Sequence, residues 1–467
     1  VDKAFGSSFA ASSAIISSLN AANDQHKAAQ EWDQVIWDKP HSLAFSILKP
    51  AGTGFIVENK GLFFFLTFGL AMIGGLMYIL PNVILLGGPG IKNNHIYQEN
   101  STSRGWIAYV TFGWLIVFYI LLYFFPDYII SWVYPVDPFS VALSGNLASQ
   151  WFLYGTMYTS VMLVMGVKMY VKYRHNMYQI VRTTSVLFFQ AAFAFTIPEL
   201  LVRFNMPYMD FKNAWPLDYD FFFDWNISGL IASGGIGIFM LGWGIALTLV
   251  AVPVFVYFFG KRWYCSWVCG CGGLAETLGD PYRQHSDKSL GAWKLERWLI
   301  HGVMVFAIIM TGGAVYTYAT GASSVFGIGT YDLQSYYGFL IGSVFAGVIG
   351  TGFYPIFGNR VWCRFGCPLA AYLGLVQKFK SRFRITTNGG QCISCGNCST
   401  YCEQGIDVRW YAQRGQNIVR SSCVGCGICA AVCPRGVLKL ENGPDTGASR
   451  MEAPPIIIGH EGIKTMA

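Results

Sequence analysis

Charge is scarce in this sequence. Aspartate, glutamate, lysine and arginine together make up 12% of its 467 residues, about half of the ~25% usual in soluble domains. A wholly water-borne globular protein is therefore excluded. The net charge of +7 lies beside hydrophobic stretches rather than on one basic face. That excludes a nucleic-acid partner and points to membrane lipid. The first sixty residues lack the charged start and following apolar run of a signal peptide. They offer a short helix over Phe9–Ala22 and a polar stretch over Glu31–Pro40. The sequence opens on Val1, so its true amino terminus is left open. A flavin-binding domain is also missing. Asp445-Thr-Gly-Ala-Ser449 looks like a flavin-attachment motif, but it stands alone on the tail and reads as coincidence.

What is present in quantity is apolar: 53% of residues are hydrophobic and 16% aromatic. Seven runs reach the ~20 residues needed to cross a bilayer. They cover Leu62–Leu86, Trp106–Phe125, Trp151–Val171, Thr183–Leu201, Ile236–Phe259, Trp298–Tyr318 and Tyr336–Phe357. Lys92 and Arg104, then Lys172, Arg174 and Arg182, then the basic residues from Lys261 to Arg297 fill alternate loops. The other loops hold Arg203 and Lys212. Positive residues stay on the cytoplasmic side. The expected topology is a multi-pass protein of a bacterial inner membrane, amino terminus outside and carboxyl end in the cytoplasm. The basic linker Lys378-Phe-Lys380-Ser-Arg382-Phe-Arg384 then meets the inner leaflet as a lipid anchor, with docking of an acidic redox partner as the competing reading.

All thirteen cysteines fall in or near redox-type motifs. Cys392, Cys395, Cys398 and Cys402 form one C-x2-C-x2-C-x3-C run, and Cys423, Cys426, Cys429 and Cys433 form a second. This spacing wraps [4Fe–4S] clusters, with the fourth cysteine of each run ligating the other cluster. The expected sets are Cys392, Cys395, Cys398 and Cys433 for the first cluster, and Cys423, Cys426, Cys429 and Cys402 for the second. Zinc would use separated pairs, and disulfides need an oxidising compartment. Glu403 stands where proline follows the last ligand of the second run. That exchange bears on local potential rather than on cluster identity.

The remaining cysteines lie in an internal repeat. Phe259-Gly260-Lys261-Arg262-Trp263-Tyr264-Cys265 leads to Cys269 and Cys271. Phe357-Gly358-Asn359-Arg360-Val361-Trp362-Cys363 leads to Cys367. Each copy follows an inward-running helix, so the two pairs are expected to converge at its cytoplasmic mouth. Arg262 and Arg360 would favour thiolates. Three roles stay open: a shared third cluster, a dithiol relay, or a soft-metal site. Buried packing is the plain alternative, and Cys271 is an alternative ligand to Cys269.

These motifs over about residues 236–440 resemble the NapH/NosR-type membrane iron–sulfur proteins, which serve periplasmic nitrate reductase and nitrous oxide reductase. Two departures stand out: the first pair is followed by Gly270-Cys271 rather than proline, and spans one to four are additional. The resemblance implies electron transfer from a quinol or cytoplasmic donor to a partner such as a c-type cytochrome or periplasmic reductase. Its alternative is maturation of a metal centre in a respiratory enzyme. An ion-pump subunit is disfavoured by the few membrane carboxylates.

The expected fold is a membrane all-α domain with a C-terminal α+β two-cluster ferredoxin domain. Residues 1–60 form an extracytoplasmic segment, 61–381 the helical domain, 382–442 the ferredoxin domain and 443–467 a tail. Weaker candidates remain. Glu199, four residues before Arg203, is a quinol-proton acceptor or half of an ion pair. His175 and His301 sit near helix ends, and a b-haem between them is not expected; His95 is a loop residue. The aspartate- and aromatic-rich loop Asn205–Trp225 offers an outer docking surface or part of the aromatic belt.

Overall fold

The computed structural model describes residues 5–31, 34–36, 39–85, 105–443, 456–459 and 462–465. Lys92, His95, Arg104 and the Asp445–Ser449 motif lie outside the described residues. Among the described residues, six helices are long and apolar enough to cross a membrane: Lys60–Leu85, Trp106–Phe124, Met177–Arg203, Gly235–Phe259, Leu290–Thr320 and Thr330–Gly352. The third expected span, Trp151–Val171, forms a helix at Gln150–Lys172 but is not among them. The physical reason is its polar inner face. It buries Thr156, Thr159, Lys168 and Lys172 together with Phe152, Met162 and Met169, so it is shaped to pack among helices rather than to face lipid throughout.

Two spans carry a wide helical turn in register with a proline. A π-turn at Phe189–Thr196 precedes Pro198, and another at Leu247–Ala251 precedes Pro253. Proline lacks the N–H and crowds the carbonyl four residues back. A widened turn relieves both, which is why the helices continue past it.

At one end of the bundle, the amino-terminal helix Ser8–Ala28 is tied down by polar bonds. Ser12 and His41 both reach Asp127, the latter at 2.9 Å. Lys49 and Lys60 converge on Asp137 at 2.6 and 2.7 Å. At the other end, Lys172 pairs with Asp280 at 2.6 Å, and Arg182 pairs with Glu276 at 2.5 Å. Asp137 also accepts from the N–H of Ala148, just before the Gln150–Lys172 helix. That helix thus spans the two polar ends, ~35 Å apart at 1.5 Å per residue.

The stretch expected as an outer loop behaves differently. Residues 205–223 fold into the bundle: Met209, Lys212, Ala214, Phe221 and Phe223 are all buried. Trp215 donates its indole N–H to Thr311 at 3.0 Å. Thr311 lies about 14 Å along its helix from the Thr320 end. Trp243 donates to the Phe211 carbonyl at 2.8 Å. Lys212 is compensated by Asp210 at 2.7 Å. Irregular backbone at this depth is tolerated because protein surrounds it. A docking surface or aromatic belt is therefore not what most of this segment forms; Tyr208 and Trp225 alone among its aromatics are strongly exposed.

The C-terminal domain is closed by an antiparallel pair, Arg384–Thr387 with Leu438–Glu441, in register Arg384 to Glu441. Between them the two cysteine runs repeat their backbone. Ser394 and Gly425, Gly396 and Gly427, and Gly405 and Gly436 all take left-handed conformations at matching positions. A short helix follows each: Asn397–Thr400 and Ile428–Ala431.

Candidate metal centres

The two cysteine runs enclose two cavities. One is lined by Cys392, Cys395, Cys398 and Cys433. The other is lined by Cys402, Cys423, Cys426 and Cys429. These are the crossed sets that the spacing implied. The crossing follows from the repeat, because the turn after each short helix carries its last cysteine to the opposite cavity. That cysteine accepts a backbone N–H in both runs: Ile406 N–H reaches Cys402 Sγ and Val437 N–H reaches Cys433 Sγ, each at 3.4 Å. Apolar Ile385, Ile406, Ile418 and Val437 keep both sites dry. The first cavity lies nearer solvent, since Cys395 and Ile393 are exposed.

The second cavity faces the membrane domain. Four successive carbonyls of its loop accept side chains from that domain. Gln377 donates to Cys423 O, Ser266 to Val424 O, Tyr178 to Gly425 O and Gln179 to Cys426 O, at 2.8–2.9 Å. At about 1 kcal/mol each, these bonds fix one orientation of the ferredoxin domain.

A third cavity holds the paired motifs. Cys265, Cys269, Cys271, Cys363 and Cys367 all line it, with Tyr264, Trp362 and Leu217 of the inserted segment. The four repeat-related cysteines are buried, while Cys271 is partly so. In the second copy the position matching Cys271 is Leu369, which lines the same cavity. Both copies start from a glycine with positive φ, Gly260 at 70° and Gly358 at 96°. A Cβ at Gly260 would sit 2.6 Å from Phe383, and one at Gly358 would sit 2.4 Å from Ser286. The sharp turn and the close packing both demand glycine. Cys426 of the second cavity packs against the same core as the third.

The two arginines of the repeat have parted company. Arg360 donates to Cys363 Sγ at 3.6 Å and to Cys265 O at 3.4 Å. Arg262 does not reach a thiol; it stacks among Tyr178, Trp267 and Phe383, 4.8 Å from the last ring centre. The expectation that both favour thiolates therefore fails for Arg262, because the aromatic box is nearer than the cysteines.

Sequence reasoning missed the ionic layer between the second and third cavities. Glu403, wholly buried, meets Arg283 at 2.8 Å and Arg360 at 3.0 Å. Glu276 meets Arg182, Arg283 and Arg360. Burial works to raise the Asp280 carboxyl, but Lys172, Arg283 and Lys168 outweigh it and hold it at about 2. Five buried cations thus face three buried carboxylates. That surplus of positive charge beside two cysteine-lined cavities fits a negatively charged, thiolate-ligated iron–sulfur cluster, as does a donor set made of sulfur alone. The one available signal was Glu403 itself, an acid where proline is usual.

The weaker candidates scatter. Arg203 bonds the carbonyl of Ala142 at 2.5 Å, so the expected pairing with Glu199 is replaced by a backbone contact. Arg283, one of the basic residues of the expected cytoplasmic loop, is buried. His301 bonds the Arg297 carbonyl at 2.6 Å, while His175 is exposed against Tyr173.

Comparison with known proteins bears on the same segments. A 4Fe-4S binding domain family matches residues 237–289 and 338–386, which carry the paired motifs. A 4Fe-4S dicluster domain family matches residues 391–438. YccM of Escherichia coli, named as an electron transport protein, is 29% identical over 185 residues, covering 35% of this chain and 47% of YccM. The methylamine utilization ferredoxin-type protein MauN of Paracoccus denitrificans is 27% identical over 172 residues, 35% of this chain and 57% of MauN. MauN of Methylobacillus flagellatus is 26% identical over 156 residues, 33% of this chain and 53% of that protein. The chain spans about half the length of the curated relatives it matches. No solved structure is significantly similar to it. The chain thus carries matches to iron–sulfur domains in both its membrane and its C-terminal parts, and over about a third of its length it is similar to ferredoxin-type electron transport proteins.

Proposed function

We propose that this protein is a membrane-bound electron-transfer subunit that passes single electrons between a quinol or cytoplasmic donor and a partner redox protein. One observation carries the reading. Three cysteine-lined cavities follow one another from solvent to bundle, and Cys426 of the second packs against the core of the third. The proposed ligands are Cys392, Cys395, Cys398 and Cys433 for the first [4Fe–4S] site, and Cys402, Cys423, Cys426 and Cys429 for the second. For a third site they are Cys265, Cys269, Cys363 and Cys367. A bound cluster would supply a reversible one-electron store whose potential answers to hydrogen bonds and burial. The chain would hold the thiolates, aim N–H groups at sulfur and keep water out. In this reading the domains divide near residues 60, 381 and 442. The ferredoxin domain is cytoplasmic at a bacterial inner membrane, as the basic loops beside it support.

A second reading, maturation of a partner's metal centre, draws on Cys271, a fifth thiol in a cavity that needs four. Iron counting separates the two. Anaerobically purified protein should hold about twelve iron atoms, falling to about eight in a Cys265→Ala, Cys363→Ala variant. Cys433→Ala should empty the first site and Cys402→Ala the second, each removing its own electron paramagnetic resonance signal. Eight iron atoms in the unaltered protein would refute the third cluster, and zinc in the C-terminal sites would refute the whole reading.

A further inference from the structure

A cavity of about 320 Å³ opens where the Leu290–Thr320 helix, the Pro368–Lys380 helix and the ferredoxin domain meet. Its volume is in the range of small-molecule sites. Lys261, Arg297, Arg364, Lys378 and Arg420 line it against a single carboxylate, Glu296. That carboxylate is already taken by Arg364 at 2.7 Å. The lining therefore carries a strong excess of positive charge.

Two buried side chains of this lining have polar atoms without a protein partner. Gln404 is 2% exposed, and neither its amide oxygen nor its amide nitrogen is bonded. Arg364 is 3% exposed, and its Nη2 is unbonded although Nε and Nη1 are used. Buried polar groups left without partners are destabilising. Their presence together in one cationic cavity marks a place built for a polar, negatively charged occupant. The other part of the lining is apolar: Ile300, Ala370, Leu375, Phe379 and Val419. Trp298 and Phe379, 75% and 69% exposed, stand at this level on the outer face of the same two helices. Aromatics of that kind lie at the membrane–water boundary, at headgroup depth.

We propose that this cavity binds a phosphate ester bearing an apolar arm, the chemistry of an anionic phospholipid headgroup and of soluble phosphate esters alike. The phosphate takes the free arginine N–H, the Gln404 amide N–H and the neighbouring lysines. The apolar arm lies along Phe379 and Leu375. The inference does not rest on the electron-transfer reading, yet it bears on it. Cys363 of the third cavity is in the lining, as are Ser421 and Ser422, which lead to Cys423 of the second. An occupant would touch both redox regions and join the two domains.

The test uses the full chain, purified in a zwitterionic detergent and phosphate-free buffer, then extracted with organic solvent. About one phosphate per chain should remain bound, in the organic phase for a lipid and in the aqueous phase for a soluble ester. Gln404→Leu removes both unbonded amide atoms. It should leave the ligand-free protein at least as heat-stable while lowering phosphate retention several-fold, which a merely structural glutamine would not do. Lys378→Glu with Arg297→Glu should also lower retention. In a second arm, vesicles of phosphatidylglycerol should raise the melting temperature of stripped protein, and vesicles of phosphatidylcholine should not. Absence of phosphate together with no response to phosphatidylglycerol overturns the proposal. So does recovery of a quinone in place of phosphate.

Discussion

At the scale of single residues, Glu403 shows how one exchange in a motif redirects a fold. Its neighbours in the sequence form a standard cysteine run, and proline would have ended that run. Instead a carboxylate enters the space between two domains and meets Arg283 and Arg360. Removing one member of a buried ionic group leaves the others uncompensated, a loss of about 3–5 kcal/mol. Glu403→Gln should lower the thermal midpoint of the protein and release iron from the second site before the first. That is measurable as loss of visible absorbance on heating. The spacing made the two cysteine-lined cavities of the runs legible, because covalent geometry limits which cysteines meet. Glu403's role was not legible, since its partners Arg283 and Arg360 lie far away in the chain and only packing brings them together. For the same reason Arg262 and Arg360 looked alike in sequence yet serve different ends.

At the scale of elements, apolar runs predicted helices well because length and hydropathy act locally. The Gln150–Lys172 helix was legible as a helix but not as an interior one. Its buried lysines find Asp280 only in the folded bundle. The inserted segment 205–223 was misread for a related reason. Its aspartates and aromatics suit a wet surface, and nothing local says that Trp215 will bond Thr311. Cysteine labelling tests the difference. A membrane-impermeant maleimide should label Phe326→Cys, at a fully exposed hairpin tip, and should leave Ala214→Cys unmodified until the protein is denatured. Equal labelling of the two would return residues 205–223 to the surface.

At the scale of the whole molecule, arginines from two of the basic loops grouped in the sequence meet one from the second copy of the repeat beside the ferredoxin domain. Arg182, Arg283 and Arg360 share one ionic layer although they come from three separate parts of the chain. The hairpin around Phe326 and the Asp137 cluster belong to the opposite end, in the proposed topology the extracytoplasmic one. In intact inverted and right-side-out vesicles, Tyr331→Cys and Lys378→Cys should react with impermeant reagents from opposite faces, Lys378→Cys from the cytoplasmic one. Reaction from the same face would break the orientation.

The four carbonyls from Cys423 to Cys426 that accept bonds from the membrane domain also set an order of manufacture. The loop that must wrap the second metal centre becomes, once docked, part of a sealed wall. In the proposed reading, delivery machinery could still reach the first centre, where Cys395 remains open. It has no such approach to the second or third. If the proposed centres are filled, maturation would then run from the inside outward, the interior ones loaded while the two domains are still apart.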